Sequence, residues 1–297
     1  MKRVLITGAN GFTGLHLIEN LNKNGWEVLG TGRNIKVKSK NLYEADLTKL
    51  DEIIDLINHI KPTHIIHLAG LSFAAHPRPL ELFQVNVFGT ENLLKAVKST
   101  GIQIEKIIIA SSANVYGNNK EVTLDENITP KPVNFYASSK LAMEHMAANW
   151  FDSLPIIITR PFNYTGPKQD VKFLIPKIIS HFVSRSKTLT LGNIDVSRDF
   201  SDVRTICDSY RLLLTIKQTG ITVNLCNNTL TSLKEIISIT EKITGHKLKI
   251  KVNPDFIRPN EIKKLQGSNK KLTELIGDIN RPALEETINW MIRETKV

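Results

Sequence analysis

A tyrosine followed four residues later by a lysine occurs three times in this sequence, at Tyr116 and Lys120, Tyr136 and Lys140, and Tyr164 and Lys168. On a helix this spacing places both side chains on one face, where the ammonium stabilises a phenolate and leaves the phenol able to donate a proton near neutral pH. The segments "YGNNK" and "YTGPK" are poor helix formers, whereas "YASSKLAMEHMAANW" is a good one. We therefore predict that Tyr136 and Lys140 are the catalytic pair.

A third polar group follows the apolar run "KIIIA", in the segment "SSANVYG". Hydroxyl groups at the carboxyl end of a parallel strand lie where ligands bind in doubly wound sheets. Ser112 is therefore predicted to polarise a carbonyl group while Tyr136 supplies the proton. The alternative is that Ser111 or Ser112 only begins a turn.

Three glycines, Gly8, Gly11 and Gly14, lie in "ITGANGFTG", directly after the apolar run "RVLI". A strand, a glycine turn and a helix together bring backbone N–H groups and the positive end of the helix to a pyrophosphate. A plain strand-to-helix turn can also contain three glycines. The position at the first strand–helix junction favours a dinucleotide.

The end of the second predicted strand indicates which dinucleotide binds. Its sequence, "VLGTGRN", has no carboxylate for the ribose hydroxyls of NAD, but it has Arg33, which suits a 2′-phosphate. NADPH is therefore preferred over NAD. The alternative is a solvated arginine beside the basic stretch that contains Lys36, Lys38 and Lys40.

Short apolar runs alternate with helical patterns in the first half of the chain, at strands 3–6, 27–31, 64–69, 106–111 and 155–159 and helices 13–24, 49–59, 80–99 and 135–153. Nearly continuous apolar strands indicate a parallel sheet with both faces covered. The predicted fold class is α/β, a doubly wound, Rossmann-like sheet over residues 1–165, joined by about 202–226. Residues 166–297 are predicted to form a smaller α/β substrate domain, ending in a helix with the apolar stripe Leu284, Ile288, Met291 and Ile292.

Composition limits the function classes. The 297 residues are 41% hydrophobic and 23% charged, and the net charge is +10. The basic residues are scattered and no aromatic residues interleave with them, so we predict a phosphate-bearing small ligand or a solvated surface rather than nucleic acid.

Without a long apolar stretch or signal peptide, a cytoplasmic location and no membrane partner are expected. Cys207 and Cys226 lack metal-binding spacing, so no metal is predicted and both are expected to be buried.

Several ordered segments together identify a resemblance: "TGANGFTG", "ADL", "HLAG", "NVFGTENLL", "SSANVYG", "YASSK", "RPFNYTGP", "RDFSDVR" and "RPNEIKKLQGSNKKL". They resemble the extended short-chain dehydrogenases/reductases that act on nucleotide sugars. The resemblance implies a catalytic trio of Ser112, Tyr136 and Lys140. It implies cofactor contacts from Gly8, Gly11, Phe12, Gly14, Arg33, Asp46, Leu47, Leu68, Ala69, Gly70, Tyr136, Lys140 and Pro161. It implies substrate contacts from Ser72, Asn114, Asn163, Arg198, Arg258 and Glu261.

The residues also discriminate between the reactions of this family. A 4,6-dehydratase needs an extra acid and base just after the catalytic serine, where this chain has Ala113 and Asn114, so dehydration is not expected. A 4-epimerase needs tightly bound NAD, which the absence of an acidic residue on the second strand disfavours. A 4-keto reductase that consumes NADPH fits best.

Within these reductases, the sequence looks most like GDP-6-deoxy-4-keto-D-mannose reductases, which make GDP-D-rhamnose. This implies a step of deoxysugar synthesis for surface polysaccharides, and a homodimer formed through helices near 80–99 and 135–153. A departure at Thr205, where relatives commonly have aspartate, leaves dTDP-, CDP- and UDP-linked keto sugars open. An NADP-binding regulatory protein without catalytic activity is the alternative from another class.

Overall fold

The computed structural model describes residues 2–33, 35, 40–72, 77–121, 123–256 and 262–295. A seven-stranded sheet contains β1 (Arg3–Thr7), β2 (Glu27–Gly32), β3 (Leu42–Glu44), β4 (His64–His67), β5 (Lys106–Ala110), β6 (Ile156–Pro161) and β10 (Ile221–Leu225). The strand order is β3-β2-β1-β4-β5-β6-β10, and every neighbouring pair is parallel. This is the order of a doubly wound fold, so the predicted fold class is confirmed.

Both faces of this sheet are buried because successive side chains point to opposite sides. Leu5 belongs to one core cluster, and its neighbours Val4 and Ile6 belong to the other. The Leu5 face is covered by α2 (Leu50–Ile60), α4 (Gly89–Thr100) and α5 (Phe135–Ala148). The opposite face is covered by α1 (Phe12–Lys23) and α7 (Val203–Leu213). The continuous apolar strands in the sequence therefore reflect two covered faces.

The predicted helix over 80–99 is not one regular α-helix. It consists of α3 (Pro79–Phe83), a π-helical turn over Gln84–Phe88, and α4. The π turn contains the buried Asn86, whose side chain binds the loop after β4 and the Ser139 hydroxyl. The wider π turn directs this polar side chain away from the apolar helix face and toward the site. Such turns are common at functional sites. Helix α5 also ends at Ala148, five residues earlier than predicted.

The second half of the chain adds smaller elements: β7 (Asn163–Thr165), α6 (Leu174–Val183), β8 (Thr188–Leu191), β9 (Ser197–Asp202), β11 (Leu230–Ser232), α8 (Leu233–Thr244), β12 (Lys249–Val252), β13 (Lys264–Leu265), α9 (Lys270–Ile276) and α10 (Leu284–Thr295). Strand β9 pairs with β7, β11 and β13, and β8 pairs with β12. Helices α6, α8 and α10 enclose a separate apolar core. The predicted stripe of α10 contributes to this core through Ile288, Met291 and Ile292, with Leu284 packed at its edge.

The chain returns from this second part to the large sheet. Strand β10 pairs with β6, and α7 packs against α1, so residues within 203–225 complete the first sheet. The domain division at residue 165 stays a prediction. Cys207 and Cys226 are both buried, as expected. None of the helices in the described parts of the chain is long and apolar enough to span a membrane.

Candidate active site

The strand order of the large sheet reverses between β1 and β4, which opens a crevice at the carboxyl ends of these strands. Gly8 follows β1 in a left-handed conformation, with φ of 71°, and a Cβ atom there would lie 2.8 Å from Ala69 N. The loops after β1 and β4 therefore touch through their backbones. Only glycine satisfies both the conformation and the contact.

The glycine loop leads directly into α1. A Cβ atom on Gly14 would lie 2.5 Å from Gly8 O, so the first turn of the helix packs against the loop itself. No side chain among the described residues caps the N-terminus of α1 at Gly11, and the first turn contains no acidic residue. This arrangement fits a phosphate group, because uncapped N–H groups and the helix dipole both favour an anion.

A cleft of about 1320 Å³ extends from this crevice to the second part of the chain. Among the described residues, every predicted site residue lines it: Gly8, Gly11, Phe12, Gly14, Arg33, Asp46, Leu47, Leu68, Ala69, Gly70, Ser72, Ser112, Asn114, Tyr136, Lys140, Pro161, Asn163 and Arg198. Arg258, Glu261, Lys36 and Lys38 lie outside the described residues. The structure thus brings together one set of residues drawn from strand ends, loops and helices of both parts of the chain.

Tyr136 lies in the first turn of α5, as its sequence predicts. Asn134 is the N-cap of the helix, and its side chain accepts a hydrogen bond from Ala137 N at 2.9 Å. Tyr136 is 7% exposed, and burial raises the pKa of its phenol, while a hydrogen bond with the Ser112 hydroxyl acts in the opposite direction. Burial outweighs the hydrogen bond, so the pKa of the free phenol lies above its usual value, and the role of Lys140 in stabilising the phenolate stays a prediction. The phenol therefore retains its proton.

Lys140 follows one turn later, and its Nζ donates a hydrogen bond to Ala110 O at 2.7 Å. This contact ties α5 to the end of β5. Burial lowers the pKa of Lys140 to about 8, although the negative charge of Glu144 opposes the change. Burial thus brings the Lys140 ammonium close to losing its proton near neutral pH.

Ser112 lies between β5 and a 3₁₀ turn over Ala113–Tyr116, for which it is the N-cap. Its hydroxyl oxygen accepts hydrogen bonds from Asn114 N at 3.2 Å and from Asn114 Nδ2 at 3.1 Å. The two interpretations of the sequence are therefore compatible, because Ser112 begins a turn and also lines the cleft beside Tyr136.

Asn86 supports the site from beneath the cleft lining, and sequence reasoning missed it. Its Oδ1 accepts a hydrogen bond from Leu71 N at 2.8 Å, and its Nδ2 donates to Leu71 O at 3.2 Å and to Ser139 Oγ at 3.0 Å. A Cβ atom on Gly70 would lie 2.8 Å from Asn86 Oδ1 and 3.3 Å from Lys140 Nζ. Asn86 thus fixes the loop after β4 against α5. The sequence feature that could have identified Asn86 is a polar residue inside an apolar helical pattern.

A buried ion pair supports α5 from the side away from the cleft. Arg160 Nη2 and Glu144 Oε2 are 2.7 Å apart, and the side chains are 7% and 6% exposed. Ser111 donates a hydrogen bond to Glu144, and Arg160 donates one to Tyr116 Oη at 3.0 Å. The pair therefore connects α5, β6 and the 3₁₀ turn. Its partners are 16 residues apart in sequence, a separation without a helical or strand period.

The far end of the cleft, beside β2 and β3, is polar. Burial acts to raise the pKa of Asp46, but hydrogen bonds from Thr48 N and Oγ1 outweigh it and hold this pKa below its usual range. Arg33 lines the same end, and its carbonyl oxygen accepts a hydrogen bond from Asn10 Nδ2 at 3.1 Å. A Cβ atom on Gly32 would lie 2.4 Å from Asn10 Oδ1.

The opposite wall of the cleft comes from the second part of the chain. Arg198 lies on β9, and its Nη1 donates hydrogen bonds to Ser197 O at 2.9 Å and Lys263 O at 3.1 Å. Lys177 also lines this wall and donates a hydrogen bond to Thr190 O at 3.0 Å. These cations suit an anionic ligand such as a diphosphate.

Comparisons with known proteins agree with this geometry. A family model described as GDP-mannose 4,6 dehydratase matches residues 5–291. GDP-6-deoxy-D-talose 4-dehydrogenase from Aggregatibacter actinomycetemcomitans is 35% identical over 278 residues, covering 93% of this chain and 92% of that protein. GDP-6-deoxy-D-mannose reductase from Pseudomonas aeruginosa is 32% identical over 289 residues, covering 93% of this chain and 91% of that protein.

A solved structure, RMD from Pseudomonas aeruginosa complexed with NADPH, superposes with a TM-score of 0.87 at 29% identity and covers 99% of both chains. The resemblance predicted from the sequence motifs is thereby confirmed. Members of this group are NAD(P)-dependent oxidoreductases that act on nucleotide sugars. The chain belongs to the GDP-mannose 4,6-dehydratase family, within the extended short-chain dehydrogenases/reductases.

Proposed function

We propose that this protein is a reductase that converts the C4 ketone of a nucleotide-linked 4-keto-6-deoxy sugar to an alcohol at the expense of NADPH. The proposed substrate is GDP-4-keto-6-deoxy-D-mannose, and the product is GDP-D-rhamnose or its C4 epimer. The observation that carries the proposal is the position of Ser112, Tyr136 and Lys140 along one cleft with the glycine loop. The names of the two relatives support it, because 6-deoxy-D-mannose and 6-deoxy-D-talose are the two C4 epimers of one ketone.

The roles of the three residues follow from their surroundings. NADPH, when bound, supplies the hydride that C4 receives. Ser112 donates a hydrogen bond to the ketone oxygen, and Tyr136 transfers its phenolic proton to the same oxygen as negative charge develops there. Burial keeps the phenol protonated before the reaction. The charged Lys140 stabilises the phenolate that remains and binds the ribose beside the reacting ring.

The preference for NADPH is supported by the residues at the end of β2. An NAD site needs an acidic side chain there to bind the ribose hydroxyls. This chain has Gly32 and Arg33 instead, and Arg33 lines the cleft and suits a 2′-phosphate. Arg33→Ala is expected to weaken NADPH binding at least tenfold and NADH binding by less than twofold, measured by quenching of protein fluorescence. Equal weakening of both would contradict the assignment.

The family description does not fix the reaction of this chain. A 4,6-dehydratase must remove one proton and donate another beside the catalytic serine, and neither Ala113 nor Asn114 transfers a proton at physiological pH. We therefore propose reduction rather than dehydration.

We also propose which residues bind the substrate. The diphosphate and ribose are proposed to contact Asn163, Arg198, Arg258 and Glu261. The sugar is proposed to lie near Ser72 and Asn114.

The direct test is the loss of absorbance at 340 nm when the purified protein is mixed with NADPH and GDP-4-keto-6-deoxy-D-mannose. The dTDP-, CDP- and UDP-linked keto sugars are assayed in parallel, and the product is analysed by NMR for its C4 configuration. Consumption of NADPH with the GDP sugar supports the proposal. Protein purified with tightly bound NAD that interconverts C4 epimers would instead establish an epimerase, and no turnover of any sugar would favour a regulatory protein.

We also propose that the protein forms a homodimer through α3, the π turn and α5. These elements pack against one another and carry Leu80, Phe88 and Phe135, which are 83%, 62% and 61% exposed. Three large apolar side chains exposed on adjacent elements favour burial against a second copy.

A further inference from the structure

The hydrogen bonds at Ser112 define which way its proton points. A serine hydroxyl has one proton to donate and two lone pairs that accept. Asn114 supplies two donors to this oxygen, its backbone N at 3.2 Å and its side-chain Nδ2 at 3.1 Å. Both acceptor positions of Ser112 are therefore used within the 3₁₀ turn, and the hydroxyl proton is left to point elsewhere.

We propose that Asn114 is a positioning residue that fixes Ser112 as a hydrogen-bond donor, whose one proton points to the Tyr136 oxygen before the substrate binds and to the ketone once it is bound. The inference rests on the proposed function of Ser112 and Tyr136. Its structural basis is that Ser112 and Tyr136 line the same cleft, where the Ser112 hydroxyl acts to lower the pKa of the phenol against the effect of burial. If Ser112 cannot accept from the phenol, the Tyr136 proton stays available for the substrate oxygen.

The backbone explains why residue 114 can do this. Ser112 is extended, with φ of −161° and ψ of 143°, and the 3₁₀ turn begins directly after it. The tight turn brings the side chain of Asn114 back over the Ser112 hydroxyl, two residues earlier. An amide donates at this position at any physiological pH, whereas an ionised carboxylate can only accept. Aspartate would therefore reverse the hydrogen bond and draw the Ser112 proton away from Tyr136.

The kinetic test is a double-mutant cycle between Asn114→Ala and Ser112→Ala, measured as single-turnover oxidation of NADPH by GDP-4-keto-6-deoxy-D-mannose. We expect Asn114→Ala to slow turnover about tenfold, and Asn114→Asp about a hundredfold, with KM for the sugar changed less than threefold. In the Ser112→Ala background, Asn114→Ala should slow the reaction by less than a further twofold. Asn119→Asp is the control, because it adds the same charge, keeps its hydrogen bond from Glu121 N and does not line the cleft.

Two kinetic outcomes overturn the proposal. If the effects of Asn114→Ala and Ser112→Ala multiply, Asn114 acts on the substrate directly. If both Asn114 variants turn over at the wild-type rate, it has no role in positioning. A different result concerns the proposed function itself: if Ser112→Ala and Tyr136→Phe both leave NADPH oxidation unchanged, the catalytic assignment is wrong.

A spectroscopic test does not depend on the sugar. The protein contains five tyrosines, and labelling them with ¹³C at Cζ gives five signals, of which Tyr136→Phe identifies the relevant one. With NADP⁺ bound, Asn114→Ala and Asn114→Asp should shift the Tyr136 signal, because the phenol oxygen loses its donor, and leave the Tyr210 signal in place. An unshifted Tyr136 signal in both variants would contradict the inference even if turnover is never observed.

Discussion

At the scale of single residues, burial raises the pKa of one member of the proposed catalytic pair, Tyr136, and lowers the pKa of the other, Lys140. The phenol of Tyr136 and the ammonium of Lys140 are both buried, so each is driven toward its neutral form. For Tyr136 the neutral form is the one that can donate a proton. For Lys140 the neutral form lacks the charge that would stabilise the phenolate. The reaction proposed here therefore needs a pH at which both groups are protonated.

Replacing Tyr136 by phenylalanine removes the proton donor and little else. We expect kcat to fall at least about a hundredfold while the Kd for NADPH stays within about threefold of the wild-type value. Tyr210→Phe is the matched control, because it also removes a buried phenolic oxygen but lies in the core outside the cleft. Turnover of Tyr136→Phe at the rate of the control would rule out the assignment.

The pKa of Lys140, about 8, predicts how NADPH binding depends on pH. Below pH 8 the side chain is charged, and above pH 8 it becomes neutral in the free enzyme. If only the charged form binds well, the affinity should fall with rising pH, by up to about tenfold per unit above pH 8. Fluorescence titrations between pH 6.5 and 9.5 measure this. In Lys140→Arg, which stays charged, the decline should disappear, and constant wild-type affinity up to pH 9.5 would contradict the prediction.

At the scale of elements, one histidine joins three of them beneath the cleft. His67 on β4 makes hydrogen bonds to Thr7 on β1 at 2.6 Å and to Thr90 on α4 at 2.8 Å. Thr90 donates its own proton to Asn86 O, so it accepts from His67 Nε2, and His67 Nδ1 accepts from Thr7. The ring is therefore neutral with the proton on Nε2.

Burial, and then the charge of Lys140, lower the pKa of His67 to about 3. An unfolded histidine binds a proton below about pH 6.5, so the unfolded state takes up the proton first as the pH falls. The stabilising contribution is thus complete above pH 6.5 and is lost between pH 6.5 and 3. Urea unfolding at pH 7 and pH 5 should show a free energy of unfolding that decreases less in His67→Gln than in the wild type, by up to about 1.4 kcal/mol per pH unit.

The exposed His59 supplies the matched control, since His59→Gln removes an imidazole ring from the end of α2 without touching this network. It should retain the wild-type dependence on pH. If His67→Gln and the wild type lose stability in parallel, protonation of His67 does not contribute to acid unfolding.

At the scale of the whole molecule, a buried polar chain connects the catalytic helix to the second part. Arg160 donates to Tyr116 Oη, Tyr116 donates to Asn224 Oδ1 at 2.8 Å, and Asn224 Nδ2 donates to Leu124 O at 3.0 Å. Leu124 in turn forms a bridge with Gly267. Breaking such a chain leaves buried polar groups without partners, which is costly, so the chain stabilises the contact between the two parts of the molecule.

The proposed homodimer gives a prediction at the same scale. Phe88→Glu combined with Phe135→Glu places charges on the exposed apolar surface of the π turn and α5, and it should convert a dimer into a monomer because burying two unpaired carboxylates is unfavourable. Light scattering coupled to gel filtration measures the mass. Val252→Glu, at a half-exposed position on β12, should remain dimeric. A wild-type mass of one chain would contradict the dimer.

The sequence by itself determined the features that depend on short-range patterns. The parallel strands, the glycine turn into α1 and the choice of Tyr136 with Lys140 among three similar pairs all follow from local periodicity and helix propensity. The structure confirms the strands and the helices that follow them, with boundaries shifted by a few residues, and the choice of the catalytic pair stays a prediction. It interrupts the helix at 80–99, because a buried Asn86 must reach a loop 15 residues earlier in the chain.

Only the tertiary structure decided what depends on contacts between distant segments. The pKa of Tyr136 is raised rather than lowered, because its burial is set by the surrounding fold and not by its neighbour four residues on. The pair of Glu144 with Arg160 and the link from Thr7 through His67 to Thr90 join residues 16 to 60 positions apart. Such contacts have no period in the sequence, since they arise when separate strands and helices pack together.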